Sequence, residues 1–316
     1  MAGSIVCGVE DSVGAHRPVA IAVELADDLS KRLLLVHVNS GDPSFPYGDG
    51  ARRERRRHAA WQRGHTLVSE MRRRWPGRIE MHEGLRTGDP AAELARVAGD
   101  DQADLVVVGC RGRGEISSAV LGSVSQSLER LSPCPVVVVP PGAPAAKAEP
   151  PEKDDTVVCG VADPETQAGL VEFSAGLAGA LCARLDVVHA AEWNGRDDAV
   201  PAPTSADFWS SGRDAEGDLG LLRLQTAMYL AEAHGVRADA RLVAGPPALA
   251  LGRVAERDGG RLIVIGSRRS GRLRALLRGS VSRQLAKFGR TPVLIVPEDG
   301  RDGSRDGRPA ARHAML

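Results

Sequence analysis

The residues best placed to do chemistry are three glycines and the polar side chains around them. Gly109-Cys110-Arg111-Gly112 is followed, nine residues on, by Gly122-Ser123-Val124-Ser125, a G-x2-G-x9-G-S spacing. Gly109 ends a valine-rich run and lets the chain turn sharply. Gly112 lets backbone amides approach a ligand with no Cβ in the way. Gly122-Ser123 puts a hydroxyl and unbonded amides at the start of an amphipathic stretch. A helix beginning there directs its positive end at an anion. Together these residues form a cradle for phosphate. Covalent chemistry has far less support. The chain lacks G-x-x-x-x-G-K-[ST], a G-x-S-x-G elbow, and G-x-G-x-x-G after its first apolar run. Its eight histidines and five cysteines show no metal-ligand spacing and no C-x-x-C. The expectation is a binding protein rather than an enzyme.

A cradle needs a strand before it and a helix after it, and the patterning supplies both. Short Val/Ile/Leu runs alternate with longer amphipathic stretches, the pattern of parallel strands covered by helices. We expect strands near 4–9, 33–38, 78–83, 104–109 and 135–139. Helices are expected near 15–31, 51–75, 90–101 and 122–131, the last capped by Gly122-Ser123. In such a sheet, ligands sit at the carboxyl ends of the strands, where connections diverge.

The chain is written twice. Ile5-Val6-Cys7-Gly8-Val9 returns as Val157-Val158-Cys159-Gly160-Val161, offset by 152 residues. Leu105-Val106-Val107-Val108-Gly109 returns as Leu262-Ile263-Val264-Ile265-Gly266, and Pro135–Pro140 as Pro292–Pro297, both offset by 157. Copy one spans 1–140 and copy two 154–297. A Pro/Ala-rich linker at 141–153 joins them, and a charged Gly-rich tail at 298–316 has no apolar period. Copy two has a less regular segment at 191–217.

The loop spacing, its strand–loop–helix setting, and the closing Ser132-Pro133-Cys134-Pro135-Val136 run resemble the universal stress protein family. The resemblance covers both copies. It implies an α/β fold of two tandem Rossmann-like, doubly wound parallel-sheet domains, related to the adenine-nucleotide alpha-hydrolases. The pyrophosphatases of similar topology carry a Ser-Gly-Gly loop after strand one, and Glu10-Asp11-Ser12 is not that loop. The resemblance implies that the chain binds ATP, with Mg2+ as an accompanying cation. Gly109, Arg111, Gly112, Gly122, Ser123, Val124 and Ser125 would then hold phosphates and ribose. Val9, Glu10, Asp11 and Val38 would line the adenine and ribose side. It also implies pairing of the two copies through their last strands within one chain, with a homodimer as the other arrangement, and an unidentified protein partner. A nucleotide-independent interaction module of the same fold is the competing reading.

Two departures distinguish the copies. The family has Asp where this chain has Glu10. In copy two, Arg269 replaces the second glycine and Ala162 the strand-one carboxylate, so we expect that copy to bind ATP weakly or not at all. Arg268, Arg269, Arg272, Arg274 and Arg278 are read as a solvated loop, and Arg52–Arg57 as a solvated helix face. His37 and His189 recur at one strand position, as do Cys7 and Cys159, and packing is expected for all four. Trp61 and Trp75 are expected to pack, and Cys110 is the one thiol inside the candidate loop.

Composition closes the remaining classes. The 316 residues carry 41 basic and 41 acidic side chains, and each copy is balanced by itself. A broad nucleic-acid footprint is therefore not expected. No apolar run reaches the length of a membrane span, and Met1–Val6 has no basic region before a long apolar core. With no disulfide pattern either, a cytoplasmic protein is expected.

Overall fold

A computed structural model of the chain describes residues 3–12, 14–40, 50–110, 122–143, 155–162, 167–191, 224, 228–267 and 280–297. The loop residues 111–121 and 268–279, most of the linker, the 191–217 segment beyond 191, and the tail at 298–316 lie outside these. Two compact units are present: Met1–Ala148 with Ala286–Ile295, and Glu149–Leu285 with Val296–Leu316.

In the first unit the order is β1 (Ser4–Gly8), α1 (His16–Asp28), β2 (Arg32–Asn39), α2 (Gly50–Arg73), β3 (Met81–Thr87), α3 (Pro90–Asp100), β4 (Leu105–Gly109), α4 (Ser123–Leu131) and β5 (Val136–Val139). These strands align as β3-β2-β1-β4-β5, all parallel. The winding reverses between β1 and β4, which leaves a crevice at their carboxyl ends. Ile5, Val6 and Cys7 of β1 and Leu105, Val106 and Val107 of β4 are 0% exposed, as expected of strands covered on both faces. The unit also takes in a strand from late in the chain. Val293, Leu294 and Ile295 run antiparallel to Val138, Val137 and Val136.

Helix boundaries follow local chemistry. Val19, Ala22, Val23 and Ala26 recur at helical spacing on α1 and are fully buried. Before α3, Gly88 takes φ +144°, which L side chains rarely adopt, and Asp89 caps the helix by accepting the Ala92 amide at 2.9 Å. Gly245 repeats that turn in copy two with φ +113°. Strand β3 starts at Met81 rather than near residue 78. Met81-His82-Glu83-Gly84-Leu85-Arg86-Thr87 has no β-branched apolar residue, and its strand exists through backbone pairing with Leu33–Asn39. Composition alone does not place such a strand.

The second unit repeats the plan with β6 (Thr156–Val161), α5 (Ala168–Ala180), β7 (Arg184–Ala191), β8 (Ala238–Ala244), a helix Pro247–Arg257, β9 (Gly260–Ser267) and a helix Ser280–Phe288. Strands β9-β6-β7-β8 are parallel. Cys159 is fully buried like Cys7, and burial pushes both thiols up to about 12, so neither is a nucleophile.

Candidate functional site

The crevice of the first unit opens into a cleft of about 310 Å3. Four separated segments bring the residues singled out from the sequence, and their neighbours, to its wall. The end of β1 contributes Val9, Glu10 and Asp11. The end of β2 contributes His37 and Val38. The end of β4 contributes Gly109, and the start of α4 contributes Gly122, Ser123, Val124 and Ser125. Nine of the eleven residues singled out from the sequence thus share one surface. Arg111 and Gly112 lie outside the described residues.

The α4 start lines the cleft, though not with the cap first expected. Gly122 is the N-cap and Ser123 is the first helical residue, with no side-chain capping bond. The serine that bonds is Ser125, whose Oγ donates to the Gly122 carbonyl at 2.9 Å and is buried. The Gly122 amide donates to the Cys110 carbonyl at 2.7 Å, which ties the helix start to the end of β4. The amides of Ser123, Val124 and Ser125 then belong to the first turn, which has no acceptor within its own helix. A Cβ on Gly122 would stand 2.9 Å from the Cys110 carbonyl oxygen, so this glycine is required by close approach rather than by its φ of −55°.

The opposite wall is held by the β1 end. The Val9 amide donates to the Val36 carbonyl at 2.8 Å. The Val9 carbonyl accepts from His37 Nδ1 at 2.8 Å, which places a proton on Nδ1. Copy two repeats this bond between His189 Nδ1 and the Val161 carbonyl at 2.9 Å. Both histidines therefore pin the strand-one end of their copy. Glu10 Oε1 accepts from Ser12 Oγ at 3.0 Å. Among the described residues no three His, Cys, Asp or Glu side chains converge on a metal position. The carboxylates of Glu10 and Asp11 are oxygen donors of the kind that suits Mg2+.

Sequence reasoning missed the α2 wall. Ala60, Arg63, Gly64 and Leu67 all line the cleft. Their i, i+3, i+4, i+7 spacing was the available signal. Trp61, expected to pack, falls off that stripe. It is 55% exposed and stacks on His65 with ring centroids 5.5 Å apart. Arg55 and Arg57 are exposed, in keeping with a solvated face. Cys110 is buried at 3% exposure.

Copy two closes the matching position by itself. Gln167 Oε1 accepts the Ala162 amide at 2.8 Å, so a side chain lies across the end of β6. The corresponding copy-one residue is Ala15, which lines the open cleft. Arg268, Arg269 and the loop to Gly279 lie outside the described residues.

Residues 1–140 and 155–297 each match the model of the universal stress protein family. The universal stress protein Rv2623 of Mycobacterium tuberculosis is 27% identical over 318 residues, covering 93% of this chain and 96% of its own. A universal stress protein of Thermus aquaticus is 31% identical over 139 residues, 43% of this chain and 97% of its own. Among solved structures, a universal stress protein from Archaeoglobus fulgidus aligns with TM-score 0.63 at 15% identity, over 93% of this chain and 96% of that one, a likeness of fold.

Proposed function

The chain belongs to the universal stress protein family, and from that premise we propose that copy one binds ATP, accompanied by Mg2+, and acts as a regulatory stress-response protein of the cytoplasm. The observation that supports this is the convergence of the β1, β2 and β4 ends and the α4 start on one cleft, with a helix N-terminus on one wall and the Glu10 and Asp11 carboxylates on the other. First-turn amides of α4 suit phosphate oxygens, and Gly109 leaves the β4 end clear of a side chain. The β1 and β2 ends, with Val9 and Val38, suit a flat base and its ribose. We read the protein as a binder whose nucleotide changes its partner set, with hydrolysis incidental. No helix among the described residues is long and apolar enough to cross a membrane.

For copy two we favour the interaction-module reading. Gln167 covers the strand end that Ala15 leaves open, and Ala162 offers no carboxylate.

Equilibrium titration of the full chain with labelled ATP tests the proposal. Saturable binding at one site per chain is expected. Gly122→Ala should weaken it at least roughly tenfold, because the added Cβ displaces the amides that meet the phosphates. Absence of saturable binding, with purified protein carrying no nucleotide by mass spectrometry after denaturation, would refute it.

A further inference from the structure

Beyond Glu10 the crevice does not end. A second compartment of about 380 Å3 continues from it and shares Glu10, Pro18 and Gly109 with the first. Its own wall includes His16 and Arg17 at the start of α1, Cys110, and Pro140 after β5. We propose that this compartment receives the distal phosphates of the bound nucleotide, and that Arg17 makes copy one selective for nucleoside polyphosphates over monophosphates. This rests on the adenine-nucleotide reading above and adds a residue outside the glycine loop.

Three observations carry the inference. The first is electrostatic need. Arg17 Nε is buried with no hydrogen-bond partner among the described residues, although the side chain borders an open compartment. A buried cationic donor without an acceptor is costly, and a phosphate oxygen would satisfy it with a charge-assisted bond. The second is position. Gly109 borders both compartments, so a chain of phosphates leaving the α4 cradle can cross the β4 end without meeting a side chain there. Glu10, on the shared wall, repels bare phosphate, so Arg17 is the charge that lets the chain enter. The third is the comparison between copies. At the positions of His16 and Arg17, copy two has Ala168 and Gly169, and at the position of Glu10 it has Ala162. Both basic residues and the carboxylate are therefore missing from the copy whose strand end is covered by Gln167.

The test is calorimetric titration of the full chain with AMP, ADP, ATP and inorganic tripolyphosphate in Mg2+ buffer, for the parent protein and for Arg17→Gln and Arg17→Lys. The parent should bind ATP roughly tenfold or more tightly than AMP, the discrimination expected of one charge-assisted contact. Arg17→Gln should bring ATP to the AMP level and leave AMP within about twofold, and Arg17→Lys should restore part of the preference. Unliganded melting temperatures of both variants should match the parent. Equal weakening of AMP and ATP by Arg17→Gln, or an unchanged ratio, overturns the proposal. Tripolyphosphate binding that depends on Arg17, with no nucleotide binding, sinks the adenine reading and keeps the compartment. Failure of every ligand to bind sinks both.

Discussion

Replacing Asp186 with Asn should change how stability depends on pH. Asp186 lies in β7, fully buried at 0% exposure. Arg241 Nη2 is 3.0 Å from its Oδ2, but neither carboxylate oxygen receives a directed hydrogen bond among the described residues. The Arg241 guanidinium spends its other nitrogen on Asp258, at 2.8 Å. Burial, with the neighbouring Asp239 and Asp258 charges, pushes the carboxyl from 3.8 up to about 6. The folded state therefore holds a proton that the unfolded chain releases above about pH 4. Stability from this group is full below the unfolded pKa and is lost as pH rises toward 6. A shift of two units corresponds to about 3 kcal/mol once the group is ionised in both states, and roughly 2 kcal/mol of that develops between pH 4 and pH 7. Asn has the same shape and no charge to bury. Asp186→Asn should therefore gain on the parent across that interval by up to roughly 2 kcal/mol. Its absolute stability at pH 7 should be equal or higher, since an amide oxygen can still face Arg241. Urea unfolding followed by circular dichroism at half-unit steps of pH reads this directly. A mutant-minus-parent difference that stays constant from pH 4 to pH 7, or that shrinks as pH rises, would refute the reasoning.

Three further outcomes are expected. Gly64→Ala should weaken ATP binding, because a Cβ there would stand 2.6 Å from His37 Cδ2 and tilt the ring off the Val9 carbonyl; unchanged affinity by titration argues against His37 as the pin of that wall. Asp89→Ala should cost about 1 kcal/mol in denaturant unfolding by removing the α3 cap, while Pro246→Ala at the uncapped copy-two position should lose no capping bond. Gly160→Ala should cost roughly 1–3 kcal/mol, since its Cβ would meet Leu251 Cδ1 at 2.7 Å, and Gly8→Ala should cost less, with its nearest contact at 3.0 Å; the opposite ranking by thermal unfolding would contradict this packing.

The central strands were legible because both their faces are buried. Ile5-Val6-Cys7 and Leu105–Val108 leave no position for a polar residue. Strand β3 was misplaced because it pairs on one side only with β2, and backbone bonding holds a sequence such as His82-Glu83-Gly84 without demanding a pattern. The start of α4 was legible through Gly122, a glycine that its close approach to the Cys110 carbonyl requires. Its serine was assigned one step early. A Gly-Ser pair reads as a cap, yet Gly122 itself became the cap and the buried hydroxyl belongs to Ser125. Arg17 and Gln167 were invisible for another reason. Nothing about their types or spacing marks them, and only the fold shows that one borders an open compartment while the other crosses a closed strand end.

Strand β5 gives the chain a weakness in time. Val136–Val139 are four consecutive β-branched residues, and the backbone edge opposite β4 is bonded by Val293, Leu294 and Ile295. During synthesis the first copy emerges long before those residues exist. For that interval it presents a short, flat, uncharged edge, the kind of template on which other chains stack. The contact that covers it closes a loop of about half the chain, so it forms late. Premature termination anywhere between the copies would leave a nearly complete cleft attached to a permanently open edge. Such a fragment should be lost to aggregation before it is lost to unfolding.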